Sequence, residues 1–186
     1  MSFKENGYLV IRNFLDKDFL DFVQDYFFIR VKSGKSSKND SQVPGAYCFY
    51  SDPLCETILD RSCKELSEKI KINLLPTYSY TRIYLKGNEL TKHRDRSSCE
   101  ISATLSLAHD GEVSPIYFSK NEDESDSVEI LLNPGDICIY RGCDLWHWRK
   151  PFENNWYLQT FLHYVDSDGQ YKDFIYDKRS FLGIEK

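Results

Sequence analysis

From residue 78 onward the chain breaks into short β-rich runs, at 78–85, 101–107, 116–119, 128–132, 137–140 and 156–165. Turn residues separate them, among them Lys86-Gly87-Asn88, Asp110-Gly111 and Asn133-Pro134-Gly135-Asp136. Two helical segments precede this block. In 16–31, Phe19, Leu20, Phe22, Val23, Tyr26 and Phe27 recur near the 3.6 period behind an Asp16 cap, and a short β-rich run at 7–14 leads into it. In the second, Ser51-Asp52-Pro53 supplies a cap with proline at the first helical position, and Leu54, Ile58, Leu59, Cys63, Leu66 and Ile70 carry the period to about Lys71. Many short strands behind helices predict an α+β, mainly β chain: a double-stranded β-helix, that is, a jelly-roll or cupin-like barrel, with the N-terminal helices packed on one sheet.

The 186 residues, 41% hydrophobic and 15% aromatic, suffice for one sizeable core. A single domain over 1–186 with its barrel core at about 78–165 is the expectation. A net charge of −5 and a pI near 5.4 argue against a broad phosphate-binding surface, so nucleic acid is not the expected partner. No run of about 18 apolar residues exists, and the opening Met-Ser-Phe-Lys-Glu-Asn has neither an apolar signal core nor an Arg-rich amphipathic character, which predicts a cytoplasmic protein without a membrane partner. Cys48, Cys55, Cys63, Cys99, Cys138 and Cys143 form no Cys-x-x-Cys pair and are expected as reduced thiols. Residues 30–38, with Arg30, Lys32, Lys35 and Lys38 among Ser and Gly, read as a flexible basic loop or a lid that greets an anionic substrate. The acidic stretch 120–126 lacks calcium-loop spacing and reads as a solvated hairpin tip. The segment after Asp166 is expected to pack, with no period to place it.

His93-Arg94-Asp95 carries the chemistry. Four His and 17 Asp give about 0.4 such His-x-Asp triplets by chance, so its context must support it. On an extended segment His93 and Asp95 share a face. His147 follows 11 residues after Asp136, where a strand leaving the Pro-Gly-Asp turn can return it to the same interior, with Leu145 and Arg149 alongside. Two imidazoles and one carboxylate form the facial triad that holds iron(II) and leaves positions open. Trp146 and Trp148, of opposite parity, should pack outward under the helices. His163 competes as distal ligand, and His109, beside Asp110-Gly111, reads as a turn residue. Arg96 and Glu100 either meet a substrate or pair with each other.

Tyr84 nine positions before His93, then His93 and Asp95, the turn Asn133-Pro134-Gly135-Asp136, and His147 with Pro151 shortly after occur in the order found in the 2-oxoglutarate/Fe(II)-dependent dioxygenase superfamily. The chain resembles its prolyl 4-hydroxylase-like branch over about 78–165. The resemblance implies that His93, Asp95 and His147 bind Fe(II) and are the catalytic centre. It also implies 2-oxoglutarate as cosubstrate, O2 as oxidant, release of succinate and CO2, and hydroxylation of an aliphatic C–H bond in a small molecule or a peptidyl or amino-acid side chain. Members that halogenate lack the carboxylate present here as Asp95. In relatives a basic residue about ten positions beyond the distal His meets the far carboxylate of 2-oxoglutarate, whereas this chain reads Asn154-Asn155-Trp156-Tyr157 there. Arg149, inward with His147, is the first substitute and Arg82 the second; Tyr84 and Thr104 could add hydroxyls, with Ser106 a weaker candidate. The alternatives are a non-catalytic cupin-like metal-binding or sensing module and a zinc-dependent hydrolase using the same ligands. Oligomeric state is not encoded in any feature of the sequence.

Overall fold

The computed structural model describes residues 2–184. Its elements run α1 (Phe3–Asn6), β1 (Tyr8–Ile11), α2 (Lys17–Lys32), β2 (Tyr47–Tyr50), α3 (Pro53–Ile70), β3 (Leu74–Leu85), β4 (Leu90–His93), β5 (Ile101–His109), β6 (Ile116–Ser119), β7 (Val128–Ile130), β8 (Ile137–Arg141), β9 (Trp146–Arg149) and β10 (Trp156–Asp166). They form two antiparallel sheets, a six-stranded one in the order β1-β8-β5-β10-β3-β2 and a four-stranded one in the order β4-β9-β6-β7. This is the expected double-stranded β-helix, mainly β with the two long helices on one sheet.

Both long helices start as their sequences dictate. Asp16 accepts from the Phe19 amide at 2.9 Å, and Asp52 accepts from the Leu54 amide at 3.0 Å with Pro53 opening α3. Lys71 closes α3 in the left-handed conformation. Leu20, Val23 and Phe27 of α2 and Cys55, Ile58, Leu59 and Leu66 of α3 are buried in one core with Ala103, Leu105, Leu107, Ile137, Ile139, Leu158 and Leu162. The strand residues of that core sit at alternate positions, so they form the outer face of the six-stranded sheet. The other parity, Tyr80, Arg82, Ser102, Thr104, Ser106, Tyr140, Gln159 and Phe161, faces the four-stranded sheet. The fold thus places aliphatic residues under the helices and polar or aromatic ones inside the barrel. Truncating Leu105 or Leu107 would cost about 2–5 kcal/mol.

The Pro-Gly-Asp turn is structural. Gly135 adopts φ +90°, and a Cβ there would meet the Leu15 carbonyl at 2.6 Å. Asp136, buried, accepts from the Asn13 and Asn133 amides and from Arg12 at 2.7 Å, which ties β1 to the start of β8.

Several expectations are corrected. Arg30 and Lys32 belong to the last turn of α2, and Arg30 pairs with buried Asp52 at 2.5 Å. The segment after α2 is not a loose basic loop, because Ser37 and Cys48 exchange backbone hydrogen bonds and the residue aimed inward is acidic Asp40. Trp146 and Trp148 do point away from the barrel interior, but no helix covers them: they lie on the four-stranded sheet, where Trp148 stacks on Tyr117 at 5.5 Å. β2 and β4 are strands that period alone did not reveal, and β3 starts at Leu74. The segment after Asp166 packs back through 3-10 turns at Lys172–Lys178, and Arg179 reaches buried Glu56 at 2.7 Å. All six cysteines are free thiols, and no helix among the described residues is long and apolar enough to cross a membrane.

Candidate metal centre

His93 ends β4 and His147 lies in β9; the two are register partners, which brings their ring centroids to 4.3 Å. Asp95 follows β4 and is fixed by its amide, which donates to the Gly142 carbonyl at 2.9 Å. Position 142 has to be glycine: a Cβ would collide with the Cys99 carbonyl, with Asp95 Oδ2 at 2.5 Å and with Ser102 Oγ at 2.8 Å. The structure therefore brings His93, Asp95 and His147 together, with their ligand atoms all within 4.8 Å of one another.

The donor chemistry fits a cation. His93 Nδ1 faces the Thr91 carbonyl at 2.8 Å and His147 Nδ1 faces the Leu145 carbonyl at 3.0 Å. A carbonyl can only accept, so Nδ1 carries a proton in each ring and Nε2 is the nitrogen left to meet an ion. Both Nε2 atoms point at Asp95 Oδ1, at 3.6 and 3.5 Å. Those separations are long for hydrogen bonds and leave room for three ligands about 2 Å from a common ion. Burial pushes the Asp95 carboxyl up, yet His147, through the positive charge of its protonated ring and a hydrogen bond, and His93, through a hydrogen bond, outweigh it and hold it well below the usual carboxylate range, and an arriving metal ion would take the place of those imidazole protons.

Behind Asp95 stands a second layer that the sequence did not disclose. Ser102 Oγ donates to Asp95 Oδ2 at 2.7 Å and lies 2.9 Å from His163 Nδ1. His163 thus ends a hydrogen-bonded chain behind Asp95, and with Asp95 and Cys99 it forms a second cluster whose ligand atoms lie within 4.8 Å of one another, while Asp95 Oδ1 is the oxygen turned to His93 and His147. Such outer partners are worth 10–100-fold in metal affinity. Ser102→Ala should weaken zinc binding by about that factor in a chelator competition, and an unchanged affinity would exclude this role.

Burial pushes the His163 imidazole down from 6.5 to about 4, partly countered by Asp95 and reinforced by Arg96. The unfolded chain then takes up a proton that the folded chain refuses. This ring costs nothing above its unfolded value of 6.5, and stability falls by about 3 kcal/mol as pH drops through 6.5 to about 4. Urea midpoints of the metal-free chain should show this decline and His163→Gln a shallower one; parallel pH profiles would contradict it.

The remaining candidates separate clearly. Arg82 is spent, with Nε 2.6 Å from Asp40, Nη1 donating to Tyr84 Oη at 2.9 Å and Nη2 to Gln42. Tyr84 is thereby engaged, and Thr104 Oγ1 accepts from Gln159. Arg149 is 2% exposed, donates from Nη1 to the Ser114 carbonyl at 2.7 Å, and leaves Nε and Nη2 without a partner among the described residues. Its guanidinium lies 5.2 Å from the centroid of the Tyr157 ring, whose hydroxyl is also unpartnered, as are Ser106 Oγ and Gln159 Oε1. His109 is not a turn residue but the end of β5; its ring is 6.0 Å from that of Tyr157, with both nitrogens buried and unpartnered. Buried polar atoms left open at this density call for a ligand. Arg96 pairs with Asp177, and Glu100 accepts from the Asp166 amide, so they do not pair with each other.

No family model and no curated protein matches this chain. Solved structures do. A Pseudomonas putida prolyl-4-hydroxylase aligns at TM-score 0.72 and 15% identity over 88% of this chain and 95% of that one. A Trichoplax adhaerens prolyl hydroxylase, in complex with a hypoxia inducible factor peptide, aligns at 0.74 and 15% over 95% and 90%. HygX from Streptomyces hygroscopicus, with nickel, 2-oxoglutarate and hygromycin B bound, aligns at 0.64 and 14% over 89% and 85%. The fold is that of the 2-oxoglutarate/Fe(II) oxygenases, including their prolyl-4-hydroxylase-like branch.

Proposed function

We propose that the chain is an Fe(II)- and 2-oxoglutarate-dependent oxygenase, folded as one domain, that hydroxylates an aliphatic C–H bond of a small molecule or of a peptidyl or amino-acid side chain. The observation that carries this is the convergence of two imidazole Nε2 atoms on one carboxylate oxygen inside this fold, each ring oriented by its Nδ1 contact to a backbone carbonyl. The iron, when bound, couples oxidation of 2-oxoglutarate by O2 to succinate and CO2 with insertion of the second oxygen atom into the substrate C–H bond.

The chain's own residues do the rest. His93, Asp95 and His147 hold three coordination positions and leave the others to the cosubstrate and oxygen. Arg149 receives the far carboxylate of 2-oxoglutarate. It lies two residues beyond His147 on one strand face, a step of about 7 Å, which a five-carbon diacid can span from the ion. In relatives the cation stands about ten residues past the distal His; here that position is Tyr157, and Arg149 reaches over its ring from β9. Tyr157 Oη and Ser106 Oγ can add donors. Arg82, closed by Asp40, is the weaker alternative, and Tyr84 and Thr104 act as wall residues. A cavity of about 440 Å³ opens from His93, Asp95 and His147, walled by Tyr78, Tyr80, Tyr140 and Phe161, which limit water at the reacting carbon.

The test is anaerobic loading with Fe(II) and 2-oxoglutarate, followed by exposure to air with a panel of amino acids, peptides and metabolites. Succinate should form only with iron and oxygen, and not in His93→Ala. A folded, metal-loaded chain that makes none across the panel would favour a non-catalytic metal-binding module.

A further inference from the structure

Two buried groups in the wall of the cavity take no part in the proposed chemistry. Cys99 and His163, 2% and 6% exposed, line the same cavity as the triad. Asp95 divides its oxygens between the two sides. Oδ1 is turned to His93 and His147, at 3.6 and 3.5 Å, while Oδ2 accepts from Ser102 Oγ, which lies 2.9 Å from His163 Nδ1. One ligand atom each from Asp95, Cys99 and His163 lies within 4.8 Å of the other two, the limit that the triad also meets. A tetrahedral ion with bonds of about 2.0–2.3 Å sets its ligands about 3.6 Å apart, so a contraction of about 1 Å closes the group on an ion.

The setting of Cys99 is not that of a packed thiol. Cys55 and Cys138 are built into apolar clusters, and Cys48 donates to the Ser37 carbonyl at 3.4 Å. Cys99 sits instead among a carboxylate, an imidazole and a phenol: Tyr78 Oη is 3.1 Å from its Sγ, and the Tyr78 ring is 4.5 Å from that of His163. Among the described residues no other cysteine belongs to a group of metal-ligand atoms. The cation of this wall, Arg96, lies over the Tyr78 ring at 4.8 Å and is neutralised by Asp177 through two contacts of 3.0 Å.

We propose that Asp95, Cys99 and His163 form a second metal site, for a thiophilic divalent ion such as zinc, that shares Asp95 with the triad. It goes beyond the oxygenase reading, in which the iron is held by nitrogen and oxygen alone and a thiolate has no use. The soft sulfur selects zinc-like ions, and a hard ion such as Mn(II) is left to the triad. Thiolate and carboxylate together balance a divalent charge, as a buried site requires. Tyr78 Oη, beside Sγ, is placed to donate to the thiolate and hold it in position. Cys99 has a thiol proton to lose inside the wall, so the triad fills first and the second site takes metal in excess. An ion there stands in the wall of the cavity and draws on a ligand of the iron, so excess zinc shuts the site.

Cobalt separates the two sites, because a cobalt–thiolate bond absorbs in the near ultraviolet and a cobalt ion held by imidazole and carboxylate alone does not. The experiment titrates the full, reduced chain with Co(II) under nitrogen and follows absorption. The first equivalent should give only the weak visible bands of a nitrogen and oxygen site. Further Co(II) should add a saturable near-ultraviolet band that excess zinc removes. Cys99→Ala should lose this band and keep the first phase, His163→Gln should raise its midpoint at least tenfold, and His93→Ala should lose the first phase and keep the band. A wild-type chain that takes up cobalt without ever showing the band overturns the second site, and no variant is needed to decide it. A band that survives in Cys99→Ala, or an unchanged midpoint in His163→Gln, overturns it as well. A chain that shows the band but no first phase overturns the triad and leaves the second site standing, and a chain that takes up no cobalt overturns both.

Discussion

Replacing His147 with glutamine is expected to abolish 2-oxoglutarate turnover by more than about a thousandfold, well beyond the 10–100-fold that outer partners of a metal site are worth. The ring is 2% exposed, with centroids 5.0 Å from Tyr140 and 6.1 Å from Phe118, so a side chain of similar length keeps the space filled. What it removes is one of the two imidazole Nε2 atoms aimed at Asp95. Metal binds the native state and so raises its stability by mass action. Fe(II) or zinc should therefore raise the Tm of the wild-type chain and leave that of His147→Gln nearly unmoved. Full turnover in the variant would remove His147 from the metal site.

Arg149→Met should separate affinity from stability in a way that a structural arginine would not. Losing the partner of a buried carboxylate costs 2–5 kcal/mol, so the KM for 2-oxoglutarate should rise by roughly 30-fold or more. The metal-free chain, however, now carries a buried guanidinium with Nε and Nη2 unpaired. Replacing it with an apolar side chain should leave stability unchanged or raise it. Arg82→Met should do the reverse, because it strands Asp40 and breaks a pair in which both side chains are at most 4% exposed, at a cost of about 3–5 kcal/mol. Unfolding midpoints and KM values for the two variants decide which arginine serves the cosubstrate. An Arg149→Met chain that is destabilised and binds 2-oxoglutarate normally would contradict the assignment.

Much of this was legible from residue order because it depends on local rules. Asp16 and Asp52 mark helix starts by filling open amides, and strict alternation along β5 and β10 sorts Leu from Ser and Gln. His93, Asp95 and His147 followed from two-residue parity and the return after a turn. What was not legible depends on pairing between distant segments. β4 has the unremarkable sequence Leu-Thr-Lys-His and is a strand because β9 pairs with it. Asp40 capturing Arg82, Ser102 linking Asp95 to His163, and Asp177 taking Arg96 join residues 42, 7, 61 and 81 positions apart, and nothing in the local pattern marks them. Glycine at 142 offered a signal that sequence alone could not interpret, since its reason is the Asp95 carboxylate lying against it. His109 was misplaced because Asp110-Gly111 marks a turn while β5 runs on to residue 109.

The most direct test of the central claim is a crystal structure of the chain grown anaerobically with Mn(II) and 2-oxoglutarate, with the metal located by its anomalous scattering. The account predicts one ion bound by His93 Nε2, Asp95 Oδ1 and His147 Nε2, with the far carboxylate of 2-oxoglutarate on Arg149 and Arg82 still paired to Asp40. An ion bound elsewhere, or none at this triad, would contradict it.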